Sequence, residues 1–318
     1  MFAFEPYTDE DAARWNSFIA ASRNGTFLFQ RGYMDYHRDR FQDASLLIGN
    51  EGGLIAVLPA SRSGDKLVSH GGLTYGGLVV DDRMTSGQAL ALFQALAEHL
   101  AGTGIGSLLY KTIPSIYHRV PTEEDLYALF RLDARLVRRD VLSVIDNRMR
   151  LPFQERRRRG AKKAAAKNMI VAESDDWAGF WNLLAARLDE KYGTRPVHTI
   201  EEIRLLAERF PDNIRLFTCN DGTAIMAGVV MYDTGQVAHA QYIAASEEGR
   251  QNGAQDLLFD RLIETFADRR WFDFGISNEQ NGYVLNEGLA AYKEGFGART
   301  IVHDFYELSL PGAGRAIG

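Results

Sequence analysis

The segment from Trp271 to Ala298 holds the densest set of side chains that could take part in chemistry. A carboxylate, Asp273, lies in the apolar run Trp271–Gly275, and an unpaired buried carboxylate is costly unless it becomes neutral. Asp273 therefore needs a partner or a polar cavity, although helix capping or a simple ion pair would also satisfy it. Further polar residues follow at Asn278, Glu279, Gln280, Asn281, Asn286, Glu287, Tyr292 and Lys293. The pattern predicts that polar groups gather at one end of a sheet.

Alternating strand and helix patterns predict the elements that position these side chains. In the first half, glycine-rich punctuation and apolar periodicity predict a hairpin, a helix and a strand over 45–59, 88–100 and 107–110. In the second half, the same order of strands, helix and strand is predicted over 215–244, 255–266 and 271–274. A strand over 136–146 and a helix over 153–166 lie between them. We therefore predict an α/β fold with mixed sheets, in which the same order of strands and helix occurs once in each half.

Length and composition fit two globular domains. The chain has 318 residues, of which 46% are hydrophobic and 25% are charged. We predict an N-terminal domain over 1–150, a C-terminal domain over 151–310 and a disordered tail over 311–318. No apolar run approaches the roughly 18 residues that span a bilayer, and Met1–Glu10 is acidic, unlike a signal sequence. We expect a cytoplasmic protein without a transmembrane segment, with peripheral membrane contact left open.

The single cysteine, Cys219, excludes a disulfide framework and a thiol metal cluster, and it is typical of a buried core residue. No metal is expected. The charge is uneven, because Glu155–Lys167 holds seven basic residues and one acidic residue while the whole chain has a net charge of -6. Such a dense cluster in an acidic protein favours one phosphate-bearing ligand over general nucleic-acid binding.

The stretch "RWFDFGISNEQNG…EGLAAYKEGFGA" resembles the C-terminal signature of the Fem-like branch of the GNAT superfamily (FemAB or BioF2-like proteins). That signature has an aromatic-Asp-Phe-Gly strand, a Tyr-Lys or Phe-Lys pair, and Phe-Gly-Ala or Phe-Gly-Gly. Upstream, Thr26–Gln30 with Tyr33 is similar to the family's opening motif, Leu54–Pro59 to an apolar strand, and Glu155–Met169 to a basic helix. The resemblance implies an acyltransferase made of two tandem GNAT-like domains with a cleft between them.

The resemblance places Lys293 where the acyl carbonyl becomes tetrahedral. An ammonium aimed at a developing oxyanion stabilises the transition state, and we take Lys293 as catalytic. Without the resemblance it would be interpreted as an exposed helix lysine. The attacking amine must also lose a proton, and Asp273, Glu287 and His239 are candidates for the base. We rank Glu287 and Asp273 ahead of His239, because a lone histidine on an apolar strand is typical of a core residue.

Two basic segments could hold the donor. Arg250–Gln255 resembles the Q/R-x-x-G-x-G/A loop with which single-domain GNAT enzymes bind the pyrophosphate of acyl-CoA, with Gln255 as a departure. This predicts an acyl-CoA donor, acetyl-CoA being expected, held by Arg250, Asn252, Gly253 and Ala254. Arg156, Arg159, Lys163 and Lys167 form a stripe on one helix face that could follow a diphosphate or an RNA backbone. A solvated helix between domains is an equal interpretation.

Acceptor contacts are predicted in both halves. The glycine-rich loop Ser69–Gly77 and the segment Tyr110–His118 combine aromatic and basic groups at strand ends, where binding groups gather. A structural role for each residue taken singly remains the alternative. The residues predicted to contact substrate are His37, His70, Tyr75, Lys111, His118, Arg156, Arg159, Lys163, His239, Asn286 and Tyr292.

Three functions compete. The first is transfer of an acyl group, acetyl being expected, from acyl-CoA to an amino group of a nucleotide-linked or lipid-linked sugar or another cell-envelope precursor. The second is Fem-like transfer from aminoacyl-tRNA to a peptidoglycan precursor. We place it behind the first, because no segment is long enough for the helical arm that tRNA-dependent relatives often carry. The third is a binding protein without catalysis on the same fold.

Overall fold

The computed structural model describes residues 1–310, except for the side chain of Tyr192; the tail predicted over 311–318 lies outside the described residues. The chain divides into two compact units, and each is built from discontinuous stretches. The first unit comprises 1–140, 281–283 and the chain from Val302, and the second comprises 141–280 and 284–301. The predicted domain limit at residue 150 stays a prediction.

The first unit contains most of the elements up to residue 140. These are β1 (Ala3–Pro6), α1 (Ala12–Ala21), α2 (Arg31–Met34), β2 (Gln42–Asp43), β3 (Leu46–Asn50), β4 (Gly53–Leu58), β5 (Ser61–Ser63), β6 (Lys66–Val68), β7 (Val79–Val80), α3 (Ser86–Gly102), β8 (Ser107–Lys111) and α4 (Glu124–Arg131). One sheet has the order β1-β3-β4-β7. A second set of strands runs from the last strand of the chain (Arg299–Ser309) through β8, β6 and β5 to β2. The predicted hairpin, helix and strand are confirmed here as β3 with β4, α3 and β8.

The second unit has a main mixed sheet, a separate two-stranded antiparallel sheet and six helices. Its elements are α5 (Glu155–Ala166), β10 (Ile170–Glu173), α6 (Trp177–Tyr192), α7 (Ile200–Arg209), β11 (Ile214–Asn220), β12 (Ile225–Asp233), β13 (Val237–Ala245), α8 (Glu247–Asn252), α9 (Ala254–Thr265), β14 (Trp271–Ile276), β15 (Asn278–Glu279), β16 (Val284–Leu285) and α10 (Glu287–Glu294). Two further strands, β9 (Arg135–Asp146) and the last strand β17 (Arg299–Ser309), contain residues of both units. The main strand order is β10-β11-β12-β13-β14-β9. Only the β13–β14 pair is parallel.

The core of the second unit explains why Asp273 can stand in an apolar strand. Phe272 and Phe274 pack with Phe259 and Phe296 on one face of β14, where the rings of Phe274 and Phe296 are stacked 5.7 Å apart. Successive side chains of a strand point to opposite faces, so Asp273 points away from this aromatic cluster. The apolar neighbours fix the strand, and the carboxylate is left to the other face.

Residues 1–310 can be assessed for membrane-spanning helices and for metal-binding groups. None of the helices in 1–310 has the length and apolar character needed to cross a membrane. No group of three or more histidine, cysteine or acidic side chains suited to a metal ion occurs within the same residues. Cys219 is fully buried in the core of the second unit, and burial raises its thiol pKa to about 11. The expectation that this cysteine is a core residue is confirmed.

Truncation tests the discontinuous build of the first unit. A fragment ending at Arg150 lacks the last strand, whose residues Phe305–Ser309 pair with β8 and whose Leu308 lies in the core of the first unit. We expect this fragment alone to lack a cooperative thermal transition by circular dichroism, because β8 loses a neighbour and buried apolar surface becomes exposed. Co-expression with 151–318 should restore the transition. A fragment 1–150 that melts cooperatively by itself would contradict this expectation.

Candidate functional site

Strands β13 and β14 part where their parallel ladder ends. Their residues pair from Val237 with Trp271 up to His239 with Asp273, after which β13 continues to Ala245. β14 bends away at Gly275, which has a φ of +74°, and its pairing with β9 shifts register between Asp273 and Ile276. A positive φ is open to glycine at little steric cost, so Gly275 permits the bend. We call the opening between 239–245 and 273–276 the fork.

The β13 side of the fork also carries an irregularity. The ladder between β12 and β13 shifts register opposite Ala240 and Tyr242, which makes Gln241 the extra residue of a bulge. Its side-chain oxygen Oε1 is buried and has no hydrogen-bond partner among the described residues. A buried acceptor without a donor is costly, so Gln241 is suited to receive an N–H group from a ligand in the fork.

Asp273 and His239 are hydrogen-bonded to each other at the base of the fork. Asp273 is 1% exposed, and its Oδ2 lies 2.8 Å from Nδ1 of His239 on the neighbouring strand. Its other oxygen, Oδ1, accepts a hydrogen bond of 2.7 Å from the backbone N–H of Gly275. The predicted partner of the buried Asp273 carboxylate is therefore a histidine, which lies directly opposite it in the sheet.

Lys293 reaches the fork from α10. Asn286 caps this helix by accepting a hydrogen bond of 3.0 Å from the Leu289 N–H, and Lys293 lies on the buried face, 3% exposed. Its Nζ donates to the carbonyl oxygens of Gly275 at 3.0 Å and Ile276 at 2.5 Å. Burial lowers the Lys293 pKa to about 8, and the nearby Asp273 carboxylate acts in the opposite direction. The interpretation of Lys293 as an exposed helix lysine is wrong.

The other predicted residues of α10 lie apart from this cluster. Glu287 is exposed in the first turn of α10, and among the described residues no hydrogen bond or ion pair joins it to the fork. Asn286 donates to the Glu279 carboxylate at 2.7 Å in addition to capping the helix. Tyr292 is partly buried, with the Arg157 guanidinium 4.6 Å above its ring. The structure thus brings together Lys293, Asp273 and His239, but not Glu287.

The segment predicted as a phosphate-binding loop is largely helical. Arg250 and Asn252 belong to α8, and Arg250 pairs with Glu247 within that helix. The chain then turns at Gly253, with a φ of +80°, and α9 begins at the fully buried Ala254. The expectation of a loop over 250–252 is wrong, because Ser246 caps a new helical turn by accepting from the Gly249 N–H at 2.9 Å.

Helix α5 covers the beginning of α9. A side chain at Gly253 would meet the backbone oxygen of Gly160 at 2.2 Å, and one at Gly160 would meet the Asp256 carboxylate at 1.9 Å. Asp256, in the first turn of α9, pairs with Arg157 of α5. A paired carboxylate and a helix backbone therefore occupy the surroundings of the α9 N-terminus, where an anion would otherwise be favoured.

The outer face of α5 is exposed and basic. The helix begins at Glu155, two residues later than predicted, with Gln154 as its N-cap. Arg156 donates to the Ala291 carbonyl at 2.7 Å and Lys163 to the Gln251 carbonyl at 2.8 Å, while Ala161 and Ala164 supply the buried face. The exposed cations are Arg156, Arg158, Arg159, Lys162, Lys163 and Lys167.

The residues predicted in the first unit are all buried. The exposed fractions are 1% for His37, 3% for His70, 2% for Tyr75, 6% for Lys111 and 7% for His118. Tyr75 shares a hydrogen bond of 2.8 Å with Thr26, and Nε2 of His118 lies 3.0 Å from the Ile113 carbonyl oxygen. Their role as substrate contacts stays a prediction.

The first unit also contains a parallel pair, β6 with β8, but its end is closed. The Ser69 hydroxyl accepts from the Lys111 N–H at 2.7 Å and donates to the Lys111 carbonyl at 3.3 Å. Nζ of Lys111 donates to the Leu73 carbonyl, and Gly76 packs against the Ser69 carbonyl so tightly that a side chain would clash. The glycine-rich loop Ser69–Gly77 therefore closes the end of the β6–β8 pair in the first unit. The corresponding end of the β13–β14 pair in the second unit is open.

Comparison with known proteins identifies a domain in this chain and a similar fold. Residues 150–294 match the family model described as an acetyltransferase (GNAT) domain. The solved structure of FemX is similar over 97% of both chains, with 13% identity and a TM-score of 0.67. The C-terminal domain of a putative lysylphosphatidylglycerol synthetase from Agrobacterium fabrum is similar over 94% of this chain and 92% of that chain, with 14% identity and a TM-score of 0.61.

A tandem GNAT protein from the clavulanic acid biosynthesis pathway is similar over 99% of both chains, with 12% identity and a TM-score of 0.57. No curated protein matches the sequence. Residues 150–294 form a GNAT-type acetyltransferase domain, and the fold of the whole chain is similar to the folds of FemX and of a tandem GNAT protein. It is an acyltransferase by class, and the predicted resemblance and fold class are confirmed.

The buried histidines of the first unit predict how stability depends on pH. Burial lowers the pKa of His37 to about 4, of His70 to about 3 and of His303 to about 4. The unfolded chain binds these protons near pH 6.5, so the free energy of unfolding should fall as the pH drops from about 6.5 to about 4. In urea titrations, His37→Asn should make this pH dependence shallower by about one proton. An unchanged slope in the variant would contradict the burial of a neutral His37.

Proposed function

We propose that this protein transfers an acyl group from a phosphate-bearing carrier to an amino group, with the reaction at the fork. The single observation that carries the proposal is the parted parallel pair β13–β14, with the buried Lys293 ammonium at its bend. Parted strands offer backbone N–H and C=O groups to an extended ligand, as an exposed sheet edge does. An acyl carrier lying there would bring its carbonyl close to the Lys293 ammonium.

Lys293 is the proposed oxyanion donor. An ammonium has three N–H groups, and two of them are used by the carbonyls of Gly275 and Ile276. The third can donate to the carbonyl oxygen of the acyl group as the amine adds to its carbon. The amine nitrogen forms the new C–N bond, the bond to the carrier breaks, and the carrier leaves with a proton. Low exposure strengthens this stabilisation, because little water competes for the charge.

Acyl-CoA, with acetyl as the acyl group, is the first candidate donor, and the GNAT domain over 150–294 supports it. Because α5 packs over the N-terminus of α9, the CoA pyrophosphate cannot bind there and would need another partner. The six exposed cations of α5 offer one. Of the residues of the predicted loop, Arg250 and Asn252 are secondary candidates for the same phosphates, whereas Gly253 and Ala254 are buried under α5.

Aminoacyl-tRNA is the second candidate donor, and the same helix favours it. A row of exposed cations along α5 can neutralise successive phosphates of an RNA backbone, which a CoA molecule would use only in part. For the acceptor, we propose the amino group of a nucleotide-linked or lipid-linked sugar or another cell-envelope precursor. The Fem-like fold of the whole chain supports this choice.

Replacement of Lys293 tests the catalytic centre. Lys293→Met keeps an apolar chain of similar length but removes the ammonium, so we expect kcat to fall by about 10²–10³-fold with the donor that supports transfer. In the wild-type enzyme, kcat/KM should decline above pH 8, because the ammonium, with a pKa of about 8, is present below that pH and lost above it. Arg204→Ala, at an exposed helix position, is the matched control. A Lys293→Met enzyme with wild-type kcat would remove Lys293 from the mechanism.

Binding measurements on α5 distinguish the two donors. Isothermal titration with acetyl-CoA should give saturable heat under the first proposal, and fluorescence anisotropy with charged tRNA should give salt-steep binding under the second. The triple change Arg158→Ser, Arg159→Ser and Lys162→Ser should lower the affinity for the donor that the enzyme uses by at least ten-fold. The change Arg195→Ser with Arg204→Ser, at exposed positions outside α5, should leave it unchanged. Absence of binding by both donors would contradict the proposed carrier.

A further inference from the structure

The pair His239–Asp273 lies at the base of the fork, where strands β13 and β14 separate. The two residues form the last rung of the parallel ladder, and the strands separate directly after them. Residues opposite each other in a sheet share a face, so both side chains lie on the side away from Phe272 and Phe274. The position is fixed by backbone pairing and does not depend on a mobile loop.

The environment of Asp273 sets the state of the histidine ring. Asp273 accepts from the Gly275 N–H through Oδ1, and the Lys293 ammonium is close enough to interact with its charge. A carboxylate that receives a backbone N–H and faces a cation stays ionised and can only accept hydrogen bonds. Nδ1 of His239, at 2.8 Å, must therefore carry the hydrogen. In the neutral form of the ring, the second nitrogen, Nε2, then has the lone pair.

Nε2 of His239 is available to a ligand. No hydrogen-bond partner for it is found within the described chain, and 12% of the side chain is exposed. The bend at Gly275 lies against the same ring, since a side chain at Gly275 would stand 3.3 Å from Cε1 of His239. The glycine thus leaves room for the imidazole at the base of the fork.

We propose that His239 is the general base of the transfer and that Asp273 is its positioning residue; this inference rests on the proposed function. As the acceptor amine attacks the acyl carbon, Nε2 takes one proton from its nitrogen, while the bond to the carrier breaks. The Lys293 ammonium and the His239 imidazole thereby act on opposite partners of one reaction, the first on the carbonyl oxygen and the second on the amine. The imidazolium then returns its proton to the departing carrier or to water.

The first test is independent of any substrate. In ¹⁵N-histidine NMR spectra of the full chain, His239 should show the tautomer with hydrogen on Nδ1, and Asp273→Asn should shift the population towards hydrogen on Nε2. His239→Gln assigns the signal, and the remaining histidines serve as internal controls. A wild-type ring with hydrogen on Nε2 would overturn the inference, whether or not the proposed function holds.

The second test measures transfer with acetyl-CoA or charged tRNA and an amino-sugar nucleotide. We expect His239→Ala to lower kcat by about 10²–10⁴-fold and added imidazole to restore part of it, which a purely structural histidine would not allow. His99→Gln, in the first unit, is the control histidine. Transfer within three-fold of wild type in folded His239→Ala would overturn the inference. Absence of transfer by the wild-type chain would instead count against the proposed function, and the tautomer measurement would still decide the role of Asp273.

Discussion

The bond of the Lys293 ammonium to the bent end of β14 is the interaction on which the site depends. A strand that turns away from its neighbour leaves backbone carbonyls without ladder partners, and a buried carbonyl without a donor is costly. Lys293 supplies donors to two such carbonyls, at Gly275 and Ile276. The same two carbonyl oxygens accept hydrogen bonds from the ammonium and so lower the cost of burying it. The negative charge of Asp273 nearby offsets part of the cost of burying the cation.

The two units use the same strand arrangement with opposite results. In the first unit, the Ser69 hydroxyl and the glycine-rich loop close the end of the β6–β8 pair and place Lys111 against a loop carbonyl. In the second unit, the β13–β14 pair stays open, and Lys293 arrives from a helix. Glycines at 76 and 77 make the closure possible, because a side chain at Gly76 would collide with the Ser69 backbone. Within the described residues, the opening suited to a ligand between parallel strands thus belongs to the second unit.

The fold class could be predicted from the sequence, because it depends on local patterns of strands and helices. The run Trp271–Gly275 is readable as a strand, and the family signature points to Lys293. The contact between His239 and Asp273 could not be predicted, because it arises from a parallel strand register that no local pattern encodes. The cover of the α9 N-terminus was also missed, since it results from the packing of α5 through Gly160 and Gly253, two glycines that are far apart in the chain.

Occupation of the fork by an acyl group is the central claim, and NMR of the backbone amides tests it most directly. The ligands are S-acetylpantetheine and a 3′-aminoacylamido-adenosine, which carry the carbonyl of each candidate donor without its polyanion. We predict that one of them shifts the amide signals of Gly275 and Ile276 and the ring signals of His239. Shifts confined to the glycine-rich loop Ser69–Gly77, with Gly275 and His239 unchanged, would contradict the account.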